Sequence, residues 1–506
     1  MDKKNNIAGN IFSFIWNKPL YFMPLIILLW GVYYLLYGGI INVEGGLGFD
    51  GYYYGMIAKN FYSMVFGNEL NGYLIQRIFP SFVISTALSI LSISKKIAII
   101  IKAFQIYNIV LLMLSSLLWF RISKIFDLDI KMIWLGFIFW FLNFGVAEMS
   151  VFYPVLTDTT ALFLGFFLLY AYLKDNLTLK IIVTFLGAFT WANFIYLGIL
   201  LILFPVNFKP QFEDNSSDDL NIKKRWFIFL IPLPFLLKAL FHLRIFLNGG
   251  RLPFIETEIF NSLAYISAVL NYIILVYFFL VYLPADMILK DYFKLIKNTI
   301  LAIKPLNILI SFVILLTAFL IQSTLSNDLY RENSITKMLY LISLYGTTKP
   351  LVYIVLYINY FGPVFIILFF FIKYYKKYLL KLGFGIYIFF IVSIFIVFAS
   401  EPRMNINFIP FFLLPSILVL KEFNISHLIF ILLTVFSFIL SKIYIPMHNM
   451  PDTNPDKNTL YNQIMYMNYF TISKYSYIVL FVTISVMSIM VVYYLKKSKK
   501  EISKQN

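Results

Sequence analysis

The chain contains no cysteine, and its three histidines, His242, His427 and His448, lie far apart along 506 residues. Disulfides, thiolate ligands and cysteine nucleophiles are excluded, and the histidines form no local zinc-ligand spacing. Charge is also scarce, at 13% of residues against 61% hydrophobic, with a mean hydropathy of +0.83. A soluble domain of this size cannot cover its surface with so few charges, so the chain reads as an all-α, polytopic membrane protein. Sustained heptads, internal repeats and a separate soluble domain are missing as well.

The 56 phenylalanines and 37 tyrosines run along the whole chain, which suits lipid-facing and interfacial helix surfaces. The net charge of +17 does not indicate nucleic acid. The lysines gather in short clusters beside apolar spans, a pattern that reports orientation in the membrane. The basic start through Lys18-Pro19 places the N-terminus in the cytoplasm, and Tyr21 to Ile41 is long enough to cross about 30 Å of hydrocarbon. No small-residue cleavage site follows, so this is a retained first span.

Residues 43–96 form the first external loop. Within it, Ser81, Ser85 and Ser89 recur every four residues, a polar stripe that predicts an interfacial helix over Tyr73 to Ser94. Were that segment to span, Arg121, Lys124, Lys131, Lys174 and Lys180 would lie outside, against Lys95 and Lys96 inside. The positive-inside rule favours the interfacial reading. Spans follow at Ile97 to Phe120, Met132 to Met149 and Thr159 to Leu173, then a pair of short helices within Ile181 to Val206, broken near Trp191-Ala-Asn193. The acidic and basic stretch 207–225 is a cytoplasmic loop. Eight further spans, at 226–245, 262–282, 306–322, 350–372, 384–400, 405–420, 428–445 and 476–495, bring the count to about fourteen with both termini inside.

A few charges at external helix ends are not needed by the membrane. Gly45, Gly46, Gly48 and Gly51 surround Asp50, so the acid can sit on a sharp turn aimed at the bilayer surface. Tyr52, Tyr53 and Tyr54 follow, rings suited to a lipid–water boundary. A glycine-rich turn with an aromatic belt accounts for the same residues. Asp158 ends the second external loop and reads equally as a helix N-cap. Arg77, beside Gln76, reads as a ligand contact or as a snorkelling anchor. Arg403 follows Glu401-Pro402 between two late spans, and Arg244, Arg251 and Lys349 are weaker candidates. Two carboxylates with two or three cations suit a phosphate held by guanidinium forks beside a general base. For a membrane-embedded enzyme, the natural phosphate is a lipid phosphate.

These residues carry a resemblance. Asp50-Gly51-Tyr52-Tyr53-Tyr54, Gln76-Arg77-Ile78-Phe79-Pro80, Thr157-Asp158, and Arg403 ahead of Asn407-Phe-Ile-Pro410 are similar to motifs of GT-C glycosyltransferases of the cell-surface glycopolymer type. The likeness covers the N-terminal half best and is topological beyond about residue 260. It departs at Tyr52, where the family commonly has Gln, and at Gly55, where a second Tyr is usual.

The resemblance implies a catalytic module over 1–260 and a helical region over 261–506. Its implied donor is a polyprenyl-phosphate-linked sugar and its acceptor a hydroxyl on a glycan, lipid or protein. Asp50 is the implied base and Asp158 its assistant, with Tyr53, Tyr54, Gln76, Arg77 and Arg403 binding substrate. Some members bind a divalent cation between these loops, and two acids alone do not commit this chain to one. A transporter or lipid flippase and a surface-polysaccharide polymerase or ligase are the competing classes. The acids at the outer ends and the absence of symmetry between halves weigh against transport.

Overall fold

The computed structural model describes residues 13–208, 222–247, 263–283, 289–327, 346–397, 402–445, 472 and 474–505. The acidic run Glu213 to Asp219, Arg251, Glu401 and His448 lie outside the described residues, as do most of the loops 246–260, 324–349 and 446–475. The chain is a multi-pass helical membrane protein. Among the described residues the one strand pairing is two residues long, Leu70–Asn71 parallel to Ser326–Asn327. Among the described residues seven helices are long and apolar enough to cross a bilayer: Pro19–Tyr37, Ile97–Ile125, Trp226–Ile245, Ala264–Tyr282, Pro305–Leu325, Pro402–Glu422 and Lys474–Ser498.

The other apolar helices are shorter than a straight crossing requires. Met132 to Met149, expected as one span, is instead two helices, Ile130–Phe141 and Phe144–Phe152, bent by 61°. Asn143 makes the break. Its Nδ2 donates to the carbonyls of Phe139 and Trp140 at 3.0 and 2.8 Å, and its Oδ1 accepts from Val146 N at 3.0 Å. One side chain thus closes the first helix and caps the second. The expected span 350–372 divides into Val352–Phe361 and Val364–Phe370 because Pro363 has no N–H with which to continue the ladder. The break expected near Trp191 is present, between Leu177–Ala188 and Phe194–Leu203.

Helix Ile78–Ile90 has 13 residues, about 20 Å, too short to cross the hydrocarbon. The first two serines of its stripe face protein while Ser89 is exposed, so the stripe does not form the polar face of an ordinary surface helix. Ser81 and Ser85 are buried, Ser81 Oγ donates to Tyr54 O at 2.9 Å, and Lys95 Nζ donates to Ser85 Oγ at 2.9 Å. Phe82, Ile90 and Leu91 are exposed, as are Ala87 and Ser89. In lipid the preference inverts, because hydroxyls gain by pairing inside and apolar groups lose nothing outside.

Loop contacts define two ends of the bundle. At one, Lys131 Nζ donates to Ile425 O and Lys421 Nζ to the carbonyls of Phe126 and Asp127. At the other, Ile41 N bonds Phe152 O, Phe79 N bonds Phe189 O, and the 70–71 strand meets the end of Pro305–Leu325. The loops carrying Asp50, Arg77, Asp158 and the 189–193 break therefore share one end.

Candidate functional site at the loop end of the bundle

Asp50 lies in the first turn of helix Phe49–Lys59, where the helix dipole favours a carboxylate, and not on an isolated turn. Gly48, at φ +78°, supplies the backbone reversal before the helix. Gly51 permits close approach of the second loop, since a Cβ there would stand 2.7 Å from Val155 O. Gly51 N, one of the helix's orphan donors, bonds Tyr153 Oη at 3.3 Å. The loop around 43–50 and the loop around 153–157 are joined by that contact.

Helical phase then separates the tyrosines. Tyr52 and Tyr53 point outward, Tyr53 at 53% exposure, while Tyr54 is 1% exposed. Tyr54 Oη has no hydrogen-bond partner among the described residues. Burial pushes its hydroxyl well above the ordinary value, a rise that the Arg77 charge only partly offsets, so it remains a donor at neutral pH. Burial raises Tyr153 likewise, opposed by the hydrogen bond from Gly51.

Arg403 arrives from 353 residues away, in the short 3-10 segment Pro402–Phe408, and its Nη2 meets Asp50 Oδ2 at 2.6 Å. Arg77 is held differently. Its guanidinium lies between the Tyr73 ring, 4.5 Å away, and the Trp191 ring, 4.4 Å away. It is 6% exposed, its Nε has no partner, and it forms no ion pair with a described residue. Two aromatic faces stabilise the buried charge without neutralising it. Trp191 also fixes the spacing of the arginines, because its Nε1 donates to Met404 O at 3.0 Å, next to Arg403. Asn193 Nδ2 reaches the same carbonyl at 3.2 Å and its Oδ1 accepts from Asn407 at 2.9 Å.

Asp158 is buried and is the first residue of helix Asp158–Leu173, preceded by Thr157 in the N-cap position, so it is not the cap. It lies within electrostatic reach of Arg77 and Tyr153, and Tyr153 also feels Asp50 and Arg403. Five of the expected residues, Asp50, Tyr54, Arg77, Asp158 and Arg403, thus share one electrostatic neighbourhood. Gln76 does not join them. Its Nε2 donates to Gln322 Oε1 at 3.0 Å, and Gln322 returns a bond to Gly72 O at 3.3 Å, tying the first loop to Pro305–Leu325. Tyr53 faces outward and stands apart as well.

Tyr73, Tyr153, Trp191 and Asn193 were not foreseen as site residues. The helix break at 189–193 was the one sequence signal for the last two. The arrangement offers oxyanion-binding forks, a neutral hydroxyl donor and a carboxylate in the neighbourhood of one another. Among the described residues no group of three or more metal-ligating side chains occurs.

A second buried ionisable group has no sequence signature at all. Glu148, 1% exposed, accepts from Tyr34 Oη at 2.6 Å through Oε1, while Oε2 has no hydrogen-bond partner among the described residues. Lys442 lies within its electrostatic reach, donating to Asn359 Oδ1 at 2.7 Å and facing the Phe144 ring at 5.1 Å. The bent pair 130–152, the broken 352–370 segment and the end of His427–Ser441 meet there.

No protein-family model, no curated protein and no solved structure matches the chain.

Proposed function

We propose that this chain is an inverting membrane glycosyltransferase of the GT-C type, with about fourteen membrane passes, both termini cytoplasmic and the site on the outer face of the cell membrane. Its donor is a polyprenyl-phosphate-linked sugar. The observation that carries the reading is the Asp50–Arg403 contact of 2.6 Å beside a buried Arg77 that forms no ion pair with a described residue. A buried guanidinium with no carboxylate of the described residues in contact is costly, and a phosphate would give it a contacting anion.

Asp50 removes the proton of an acceptor hydroxyl as that oxygen attacks the anomeric carbon. The carbon–oxygen bond to the lipid phosphate breaks, and the phosphate leaves with the electron pair toward Arg77 and Arg403. Arg403 contacts Asp50 directly, so the two groups are placed to share one substrate. A donor phosphate competes for the Arg403 guanidinium and leaves the Asp50 carboxylate available to the acceptor hydroxyl. Asp158 supports the charge of Arg77.

Asp50→Asn keeps size and most hydrogen bonding but cannot accept the proton. Sugar transfer from a polyprenyl-phosphate donor in liposomes, compared at equal folded protein, falls by roughly a hundredfold or more. Full transfer by the variant removes the mechanism. A transporter is the second reading, supported by Glu148 and Lys442 where broken helices meet. In that case Glu148→Gln abolishes flux while Asp50→Asn spares it.

A further inference from the structure

Between the spans Ala264–Tyr282 and Pro305–Leu325 lies helix Leu289–Leu301, whose residues divide into four arcs. Tyr292 and Thr299 are buried, and the Tyr292 ring packs on Phe227 at a centroid distance of 5.1 Å. Leu289, Phe293, Ile296 and Ile300, spaced 4, 3 and 4, form an outward apolar stripe, with Phe293 at 65% exposure. Lys290, Lys294 and Lys297 follow one position after the first three of these, about 100° round the helix, all exposed and in no ion pair with a described residue. Asp291 and Asn298 complete the circuit on the side away from the stripe.

The order around the axis is protein, apolar stripe, cations, neutral and acidic polar groups. That is the order met by a helix lying in a membrane surface, with its stripe in the acyl chains and its lysines at headgroup level. The neighbouring basic helix Ile372–Leu382 differs. Its Tyr375, Leu379 and Leu382 are buried in the protein, and its exposed residues are lysines with no apolar stripe beside them. Both ends of Leu289–Leu301 adjoin membrane-entering segments, Pro305 beginning the next span four residues later. We infer that Leu289–Leu301 is an in-plane membrane helix that binds anionic phospholipid headgroups through Lys290, Lys294 and Lys297. Its apolar stripe sets the depth and its lysines select the lipid, independently of what the site at the far loops does.

The test uses the full chain in nanodiscs. Because the sequence has no cysteine, a single fluorophore can be placed at Ile296→Cys or Asn298→Cys. Brominated phosphatidylglycerol quenches the label at 296 several-fold more than brominated phosphatidylcholine at equal content, while aqueous iodide quenches the label at 298. Combining K290Q, K294Q and K297Q brings the lipid ratio to one and leaves the 296 label in lipid. Raising salt lowers the ratio without any change to the lysines. Equal quenching by the two lipids at low salt overturns the lipid selectivity. Shielding of the 296 label from both lipid and iodide overturns the membrane placement, assigning the stripe to a protein partner.

Discussion

Arg77→Met separates an anion-binding arginine from a structural anchor, because its effects on stability and on binding have different sources. The side chain stays long and apolar, so the slot between Tyr73 and Trp191 remains filled. What goes is a charge with rings 4.5 and 4.4 Å away and, among the described residues, no carboxylate in ion-pair contact. Two cation–π contacts contribute about 1–4 kcal/mol together. Against this, burying a charge without an ion-pair partner costs several kcal/mol, which the variant avoids. The terms nearly cancel, so the unliganded variant is expected within about 2 kcal/mol of the parent on the basis of these contacts.

Binding has no such compensation. Losing a charge-assisted contact to phosphate weakens affinity by about 1.5–3 kcal/mol, a factor of roughly ten to a hundred or more. A short-chain prenyl phosphate at a hundred times its dissociation constant stabilises the parent by about 2.7 kcal/mol. At the same concentration it would stabilise the variant by about 1.4 kcal/mol or less. The assay is unfolding in detergent with and without the prenyl phosphate. A variant that loses more than about 3 kcal/mol unliganded, yet keeps the full ligand-induced shift, would refute the anion-site reasoning and leave Arg77 as an anchor.

Two further substitutions probe the walls of the site. Trp191→Phe keeps a ring on Arg77 but removes the donor to Met404 O, which still has Asn193, so donor titration should show a modest loss of about 1 kcal/mol. Trp191→Leu removes the ring as well and should weaken donor binding further; parental affinity in both would show that the loop does not position the arginines. Tyr54→Phe deletes a buried hydroxyl with no hydrogen-bond partner, so unliganded stability should hold or rise by up to about 1–3 kcal/mol while donor affinity falls. Because burial raises the Tyr54 pKa, its ionisation opposes folding, so stability is unaffected by this group below the ordinary tyrosine value near 10 and falls as pH rises toward the folded value. The phenylalanine variant should therefore show a flatter alkaline limb in unfolding, and an unchanged limb would contradict the raised pKa.

Local chemistry made part of this protein legible without coordinates. Hydropathy marked the apolar helices, because long uncharged runs have few alternatives to helix in hydrocarbon. Glycines marked the approach to Asp50, one of them at φ +78°, and the interruption at Trp191-Ala-Asn193 marked a real helix break. Asp158 was placed within one residue of its helix start. Asn143 and Pro363 break helices by local rules as well, yet the sequence around each is so apolar that it reads as continuous span.

Only the tertiary structure decided which charged ends meet. Arg403 and Asp50 are 353 residues apart, and no periodicity links them. Adjacent Gln76 and Arg77 go to different neighbours, one to Gln322 and the other between Tyr73 and Trp191. Tyr53 and Tyr54 share every local preference, but about 100° of helix rotation puts one outside and the other in the core. Glu148 and Lys442 looked like members of ordinary spans until broken helices brought them within reach of each other. The reason is common to all four cases. Hydrocarbon and protein interior make nearly the same demand on an apolar side chain, so the pattern along the chain specifies helices but not which faces touch. The polar side chains choose among packings by finding partners in space, and spatial adjacency is what one linear sequence does not contain.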